Sequence, residues 1–220
     1  MKTDRWLLGD SLAPDTADFG GPPDLHDHKI AYVVARCRGK DVLDVGCVQH
    51  NPANYQSRYW LHGAVASQAR HTVGLDMYQD GIAFLRERGF DVRPGDAQDF
   101  DLGEQFDVIV AGDVIEHLAD LGGFLRSCRR HLRPGGCVVV STPNPWYWRH
   151  VIKAALFARV GVNEEHALWL CPVTLSQLAA RYGFEATEIE FGSRYLRDRL
   201  MPLPRGLRHT SFHATLRSRV

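Results

Sequence analysis

Carboxylate and glycine residues follow several short apolar segments of the chain, at points where parallel strands are expected to end. The carboxyl ends of such strands share one edge of an open sheet, and ligands bind outside that edge. One carboxylate there can accept hydrogen bonds from both hydroxyl groups of a ribose, and a glycine lets the backbone approach a ligand without a Cβ in the way. We therefore predict a ligand-binding rim formed by Asp44, Gly46, Asp76, Asp96 and Gly112.

A second group of residues has the side chains needed to move a proton or hold a cation. Asp113, Glu116 and His117 are spaced so that they share one face if the turn after their strand is helical. In one interpretation, His166 joins them to bind Mg²⁺, Mn²⁺ or Zn²⁺. In a second, His117 or His166 is a general base without a metal. Both make His117, Glu116 and His166 catalytic, whereas in a third interpretation Glu116 and His117 only stabilise a turn.

An aromatic, proline-containing loop follows a later predicted strand. Its residues Trp146, Tyr147 and Trp148 could form a wall that stacks on a ring-shaped substrate, or they could pack against the C-terminal helices. His50, in an enlarged loop after the first strand, is a further candidate for substrate contact. We expect the whole segment 143–183 to lie on the substrate side of the site.

Strand and helix patterns alternate along the chain between these candidate residues. Apolar runs predict strands at 41–45, 72–76, 90–93, 106–111, 136–142 and 184–191, and residues 211–219 alternate like a closing antiparallel strand. Helices are predicted at 25–37, 57–69, 79–88, 120–132, 149–160 and 174–182. This order predicts an α/β fold: a Rossmann-like, doubly wound, mostly parallel seven-stranded sheet with helices on both faces and an antiparallel last strand. Residues 1–220 would form one domain, with an irregular arm at 1–24 and a loop at 197–208.

Several motifs occur in an order and spacing typical of one family: FDVIVAGDVIEHL at 106–118, LRPGG at 132–136 and STPN at 141–144. From about residue 40 to 184 the chain resembles class I S-adenosylmethionine (SAM) dependent methyltransferases. Within these, it is most similar to the ubiquinone-biosynthesis O-methyltransferases and their relatives in glycan and natural-product pathways. The run GCVQHN at 46–51 lacks two glycines of a dinucleotide-binding loop, which disfavours a nicotinamide or flavin cofactor. It also departs from the GCGxG usual in methyltransferases.

The resemblance implies SAM as the cofactor and assigns roles along the rim. Asp44 would anchor the methionine end, and Asp96 would contact adenine together with the next backbone N–H. The complete set of predicted cofactor contacts is Asp44, Gly46, Cys47, Asp76, Met77, Asp96, Ala97, Gly112 and Asp113. The implied reaction is O-methylation of a small acceptor, with or without assistance by Mg²⁺ or another divalent cation bound to Asp113, Glu116, His117 and His166.

A sugar or oligosaccharide hydroxyl is the preferred acceptor, because a neutral chain with tryptophan-rich loops suits an uncharged polar ring. A phenolic, quinone or other natural-product hydroxyl is the nearest alternative. Two further alternatives lie outside this activity: an NAD-binding oxidoreductase, and a non-catalytic protein that binds SAM.

Composition limits the partners and the location of the protein. The 220 residues carry no formal net charge, with 26 Lys and Arg against 26 Asp and Glu. The arginine-rich segment 194–220 lacks interleaved aromatic residues, so we interpret it as a solvated rim and expect no nucleic-acid partner. No apolar run is long enough to span a membrane, and the first residues do not form a secretory signal. Five cysteines without a CxxC pair indicate reduced thiols. We expect a cytoplasmic protein, either a monomer or a homo-oligomer.

Overall fold

The computed structural model describes residues 24–49, 51–158, 163–192 and 194–219. Seven described strands form one mixed sheet in the order β3-β2-β1-β4-β5-β7-β6. They are β1 Asp41–Val45, β2 His71–Asp76, β3 Val92–Pro94, β4 Phe106–Gly112, β5 Leu132–Pro143, β6 Phe184–Phe191 and β7 Ser211–Ser218. Strands β1 to β5 are parallel, and β7 pairs antiparallel with both β5 and β6. The predicted α/β sheet is confirmed.

Helices connect the strands and flank the sheet. The α-helices of the described chain are α1 Asp24–Cys37, α2 Leu61–Ala66, α3 Gln79–Arg86, α4 Leu121–His131, α5 Trp148–Phe157, α6 Pro172–Arg181 and α7 Arg205–Arg208. Short 3-10 helices occupy Pro52–Gln56, Ile115–His117 and Leu196–Leu200. Within the described residues, no helix combines the length and apolar character needed to cross a membrane.

The two faces of the sheet carry separate apolar clusters, because side chains alternate between the faces along each strand. Leu43 and Val45 of β1 belong to a cluster that includes residues of α4 and α6. Val42, which precedes Leu43 and points to the opposite face, belongs to a second cluster with residues of α1 and α2. Asp44 has the same parity as Val42 and therefore lies on the α1 and α2 face. The sheet is thus covered on both faces, as its continuous apolar strands predict.

Helix α4 shows how local sequence sets the boundaries of these elements. Asp120 precedes the helix, and its Oδ1 accepts a hydrogen bond from the backbone N–H of Gly123 at 2.8 Å. Arg129, Arg130 and His131 lie in the last turn, where cations are favoured by the helix dipole. Strand β5 then begins directly at Leu132, earlier than the predicted residue 136.

Three parts of the predicted organisation differ from the structure or fall outside it. The helix predicted at 57–69 is shorter in the structure, where α2 covers only Leu61–Ala66, and a 3-10 helix at Pro52–Gln56 precedes it. The predicted loop at 197–208 contains a 3-10 helix and α7, since prolines start and stop short helical turns there. The predicted arm at 1–24 lies outside the described residues except for Asp24, which begins α1.

Candidate active site

Gly46 forms the turn that ends β1. Its φ angle is +75°, and its backbone N–H donates to the carbonyl of Leu75 at 2.8 Å. A Cβ at this position would lie 2.4 Å from Cγ2 of Val114. Both the left-handed backbone and the close contact require glycine, and the rim of the sheet is therefore tightly folded at this point.

Asp76, at the end of β2, organises the loop that follows β1. Its Oδ2 accepts from the backbone N–H of Val48 at 2.8 Å, and its Oδ1 accepts from the N–H of Tyr78 at 3.0 Å. Each carboxylate oxygen keeps further acceptor capacity for ligand hydroxyls. Cys47 is buried, and its carbonyl accepts from Nε1 of Trp60 at 2.9 Å. Met77 is exposed beside Asp76, on the predicted cofactor side.

Asp44 differs from the other rim acids because it is buried. Only 2% of its surface is exposed, and its Oδ2 lies 2.9 Å from Nδ1 of His62, which is equally buried on α2. The Trp60 and Phe90 rings pack around His62, with centroids 5.3 and 5.8 Å away. Asp44 therefore holds α2 against the sheet, in addition to the cofactor contact predicted for it.

Of the remaining rim positions, Asp96 is exposed to solvent and Gly112 is closely packed. Asp96 is exposed, and its Oδ1 accepts from the N–H of Gln98 at 2.8 Å, while Ala97 is buried. A Cβ on Gly112 would lie 2.4 Å from Cδ2 of Leu61, so glycine there lets α2 approach the end of β4. The carboxylates of Asp76 and Asp96 thus follow the neighbouring strands β2 and β3 along one edge of the sheet.

Asp113, directly after β4, has a left-handed backbone with a φ angle of +56°. Its Oδ1 accepts from Oγ of Ser141 at 2.7 Å, and its Oδ2 lies 2.6 Å from Nζ of Lys29 on α1. Burial opposes ionisation, but the Lys29 ammonium outweighs it and holds the pKa of Asp113 below its usual range. A strained backbone at such a point is a feature of functional sites.

Glu116, His117 and His166 converge at the end of β4. One ligand atom of each side chain lies within 4.8 Å of those of the other two. Glu116 is 1% exposed, and its Oε2 accepts from Oγ1 of Thr142 at 2.9 Å. Burial and, second, the neighbouring Asp113 carboxylate raise the pKa of Glu116.

The two histidines of this cluster are oriented by the segment that follows α5. Nδ1 of His117 lies 3.2 Å from the carbonyl of Glu165, so a proton on Nδ1 leaves a lone pair on Nε2. The His117 and His166 rings meet edge to face, with centroids 4.7 Å apart. Burial and the adjacent His117 lower the pKa of His166. The backbone N–H groups of Ala167 and Leu168 both donate to the Glu116 carbonyl.

Of the four residues predicted to hold a metal, Glu116, His117 and His166 lie close together in the described structure. Asp113 lies outside the group because its carboxylate is bound to Lys29 and Ser141. The remaining donors are one carboxylate and two imidazoles. Such a set suits Zn²⁺ or Mn²⁺ better than Mg²⁺, which prefers oxygen ligands.

The aromatic loop after β5 is directed mainly into the protein. The Tyr147 hydroxyl donates to Oδ2 of Asp198 at 2.7 Å, and Nε1 of Trp148 donates to its Oδ1 at 3.1 Å. Tyr147 is buried, whereas Trp146 is partly exposed. Of the two interpretations of this loop, these contacts favour packing for Tyr147 and Trp148. His50, the other predicted substrate contact, lies outside the described residues.

A family model described as a methyltransferase domain matches residues 25–189 of the chain. The chain belongs to the SAM-dependent methyltransferase family. A probable S-adenosylmethionine-dependent methyltransferase of Mycolicibacterium smegmatis is 33% identical to it over 166 residues, covering 73% of this chain and 59% of the relative. A ubiquinone biosynthesis O-methyltransferase of Azorhizobium caulinodans is 30% identical over 171 residues, covering 69% and 61%.

Solved structures share the fold of this methyltransferase. A SAM-dependent methyltransferase from Archaeoglobus fulgidus superposes with a TM-score of 0.64 at 19% identity, covering 87% of this chain and 91% of that one. The chain spans between 39% and 61% of the length of the curated relatives it matches.

Three contacts that shape the site were not predicted from the sequence. Lys29 neutralises Asp113, Thr142 donates to Glu116, and His62 pairs with Asp44. Thr142 lies at the end of a predicted strand and within the STPN motif. Both features indicate a residue at the edge of the sheet where the site lies. Lys29 and His62 lie in helical patterns with no local feature that points to the sheet edge.

Buried His213 on β7 is expected to make the fold sensitive to acid. It is fully buried against Tyr32 and His28 of α1, and neither ring nitrogen has a partner among the described residues. Burial chiefly, helped by the positive charges of Lys29 and Arg36 and opposed by Asp113, lowers the pKa of His213 to about 4.

An unfolded histidine titrates near pH 6.5, so the unfolded state binds the extra proton between pH 6.5 and 4. We therefore expect stability to fall as the pH drops through this range, with His213 contributing on the order of 3 kcal/mol. Urea unfolding from pH 7.5 to 4.5 should show a smaller pH dependence in His213→Leu than in the unchanged protein. Equal slopes would contradict this assignment.

Proposed function

We propose that this methyltransferase transfers the methyl group of SAM to a hydroxyl oxygen of a small acceptor. The convergence of Glu116, His117 and His166 beside the ligand-binding rim is the observation that carries the proposal. The acceptor oxygen forms a bond to the methyl carbon as the sulfonium S–CH₃ bond breaks, and the acceptor proton must leave. This displacement requires a base or a cation at the oxygen, and the cluster offers both kinds of group.

The rim residues support binding of SAM in the pose that the family implies. Asp76 would accept the ribose hydroxyls with its remaining lone pairs, and exposed Asp96 would contact the adenine. The turn at Gly46 would bring the backbone close to the methionine end. Asp44 would act from its buried position by fixing α2 and the loop before it.

His117 is the residue best placed to take the acceptor proton. The Glu165 carbonyl holds its Nδ1, so the proton would move to Nε2. His166, whose pKa is lowered, supplies a neutral imidazole against the first ring. The pKa of buried Glu116 is raised to about 8, so this side chain holds a proton near neutral pH. An imidazolium at His117 would favour release of that proton to solvent, and the resulting carboxylate would stabilise the imidazolium.

The same three side chains could hold a divalent cation, and their donor chemistry fits Zn²⁺ or Mn²⁺. When bound, such a cation would lower the pKa of the acceptor hydroxyl. Thr142 would keep Glu116 oriented toward the histidines in either case. A metal requirement distinguishes this arrangement from the metal-free base.

A hydroxylated ring is the acceptor class that we propose. The tryptophan-rich loop was the argument for a saccharide, and Tyr147 and Trp148 instead contact Asp198. Relatives named as ubiquinone biosynthesis O-methyltransferases favour a phenolic or quinone-type hydroxyl over the saccharide. The free, mostly buried cysteines support a reducing, cytoplasmic location.

Titration with S-adenosylhomocysteine is the first test of this function. We expect micromolar binding by the unchanged protein and at least a tenfold loss in Asp76→Ala, because the variant lacks the ribose acceptor and the Val48 contact. NADH serves as the control ligand and should not bind. Absence of S-adenosylhomocysteine binding would contradict the cofactor assignment.

An acceptor screen with methyl-labelled SAM follows, using phenols, quinols and sugars. Chelator-treated protein should be assayed alone and after addition of Zn²⁺, Mn²⁺ or Mg²⁺. Turnover restored by one cation supports the metal site, and undiminished turnover after chelation supports the metal-free base. Tight cofactor binding without turnover on any acceptor would indicate a SAM-binding protein without catalysis.

A further inference from the structure

The contact between helix α1 and strand β7 contains a histidine with no hydrogen-bond partner among the described residues. This residue, His213 of β7, is fully buried, and both of its ring nitrogens are unpaired. Its ring centroid lies 5.5 Å from that of the stacked His28 ring and 5.2 Å from that of the tilted Tyr32 ring. A Cβ on Gly192 would lie 2.1 Å from Nε2 of His213, so the backbone packs closely there as well. Unpaired buried polar atoms cost stability, which makes this histidine a candidate for a role other than packing.

Polar side chains of α1 surround His213. His28, Tyr32 and Arg36 are spaced four residues apart and therefore lie along one side of α1. The hydroxyl groups of Tyr32 and Thr215 are 2.9 Å apart, and Nε of Arg36 donates to Oγ1 of Thr215 at 2.9 Å. Thr215 follows His213 by two residues and so points to the same face of the sheet. We call these five side chains the α1–β7 contact.

The charges close to His213 are mostly positive. Burial is the largest factor that lowers the pKa of His213, and His28, Lys29 and Arg36 act in the same direction. The Asp113 carboxylate acts in the opposite direction, but it is already bonded to Lys29. A proton on His213 would therefore lie beside two basic side chains, in a site without solvent access.

Two acidic residues of the edge strand β6 lie on the same side of the sheet as His213. Glu188 forms an ion pair with Arg36, and Glu190 is the register partner of His213. Both carboxylates are exposed, so solvent weakens their effect on the buried ring. Separation of α1 from β7 would give a protonated His213 both water and access to Glu190.

The first half of α1 is the part of this contact that can move. Val33 and Cys37 anchor the second half in the apolar cluster under α1, whereas none of the side chains described before Tyr32 is buried. Strand β7 is held more firmly, because it pairs with β5 on one side and with β6 on the other. Lys29 lies in the first half of α1, and its Nζ is 2.6 Å from Oδ2 of Asp113. Movement of this half would therefore separate the Lys29–Asp113 ion pair.

We propose that α1 and His213 form an acid-sensitive switch, in which protonation of His213 releases the first half of α1 from β7 and withdraws Lys29 from Asp113. The sheet stays paired in the opened form, which distinguishes it from the global loss of stability expected in acid. Asp113 directly follows β4 on the predicted cofactor rim, so opening removes a positive charge from that rim. The opening itself does not depend on the proposed function, whereas its effect on cofactor binding rests on that function.

The expected size of the effect follows from proton linkage. A solvated histidine titrates near pH 6.5, and in the closed form the pKa of His213 is lowered to about 4. The opened form therefore binds the extra proton between pH 6.5 and 4, and acid favours opening across this range. From pH 7 to pH 5 the equilibrium constant for opening should rise about twentyfold.

Hydrogen exchange of backbone amides at pH 7 and pH 5, corrected for the intrinsic effect of pH on exchange, tests the proposal on the full chain. In the unchanged protein, amides in the first half of α1 should lose about twentyfold of their protection at pH 5. They should also exchange faster than amides of β4 and β5 at both pH values. In His213→Leu and His213→Gln, which have no titrating group at this position, α1 protection should change by less than about threefold. His71→Ala is the matched control, because His71 is exposed at the opposite end of β2, and it should behave as the unchanged protein does.

The proposal is overturned if α1 protection in the unchanged protein is the same at both pH values, or if both His213 variants keep the full pH dependence. It is also overturned if α1 and β5 exchange at the same rate, since only global unfolding would then be observed. Saturating S-adenosylhomocysteine should raise α1 protection at pH 5 at least tenfold, because it would bind the closed form. Binding without this added protection would overturn the effect on the rim. Failure of S-adenosylhomocysteine to bind would contradict the proposed function and leave the exchange result unaffected.

Discussion

Replacing His117 with alanine is expected to lower kcat by about a hundredfold to ten-thousandfold, the range typical for loss of a general acid or base. The affinity for S-adenosylhomocysteine should stay within twofold, because His117 contacts Glu165 and His166 and not the predicted cofactor rim. Steady-state kinetics with the acceptor found by the screen, together with calorimetric titration, measures both quantities. The loss should appear in kcat more than in KM, since the residue acts on the reacting oxygen.

His166→Ala and the double variant extend this prediction. If both imidazoles act as one unit, the double variant should be scarcely slower than either single one. His71→Ala is the control, because His71 is exposed at the opposite end of β2. Full turnover by His117→Ala would contradict the catalytic assignment. It would support the interpretation that Glu116 and His117 only stabilise a turn.

Replacing His62 with alanine is expected to lower the free energy of unfolding by about 3–5 kcal/mol, because it leaves the buried Asp44 carboxylate without its partner. The lost packing against Trp60 and Phe90 acts in the same direction. Urea unfolding with an unchanged m-value would report this loss as a shift in midpoint. We also expect weaker S-adenosylhomocysteine binding, since α2 and the rim share Asp44.

A double-mutant cycle separates the pair from its surroundings. Asp44→Asn with His62→Ala should be less destabilised than the sum of the two single variants, because no buried charge remains. His71→Ala again provides an exposed histidine control, with an expected change within about 0.5 kcal/mol. A loss of that small size in His62→Ala would show that the Asp44–His62 contact does not stabilise the fold.

Most of the fold was predictable because its signals are local. Apolar runs such as Val108–Ala111 can be satisfied only by strands buried on both faces. Pro134 cannot continue a helix, and α4 accordingly ends at His131, directly before β5 begins at Leu132. The helix expected at 57–69 was wrong in extent. Only Leu61–Ala66 is α-helical there, and the chain before it forms a separate 3-10 helix that Asn51 caps through the N–H of Ala53. A helical apolar pattern does not reveal this cap.

The candidate site was predictable only in part, because some of its contacts join residues that are distant in sequence. Glu116 and His117 follow Asp113 by three and four residues, which indicates one helical face, and the resemblance adds His166. The spacing also placed Asp113 with them, but Lys29 of α1 captures that carboxylate instead. A lysine in a solvated helical pattern gives no indication of which residue it will pair with. The ion pair between Lys29 and Asp113 could therefore be found only from the structure.

The position of β7 determines the order in which the sheet can be assembled. β7 follows β6 in the chain but lies between β5 and β6, so β6 joins the rest of the sheet only through its antiparallel pairing with β7. Until β7 pairs with β5, the edge of β5 is an open template for foreign strands. The pairing of β5 with β7 also closes a long loop, which slows folding in proteins dominated by distant contacts. We therefore expect folding to begin among β1, β4 and β5. The pairing of β7 with β5 would be a late step, which covers the edge of β5 and brings His213 against α1.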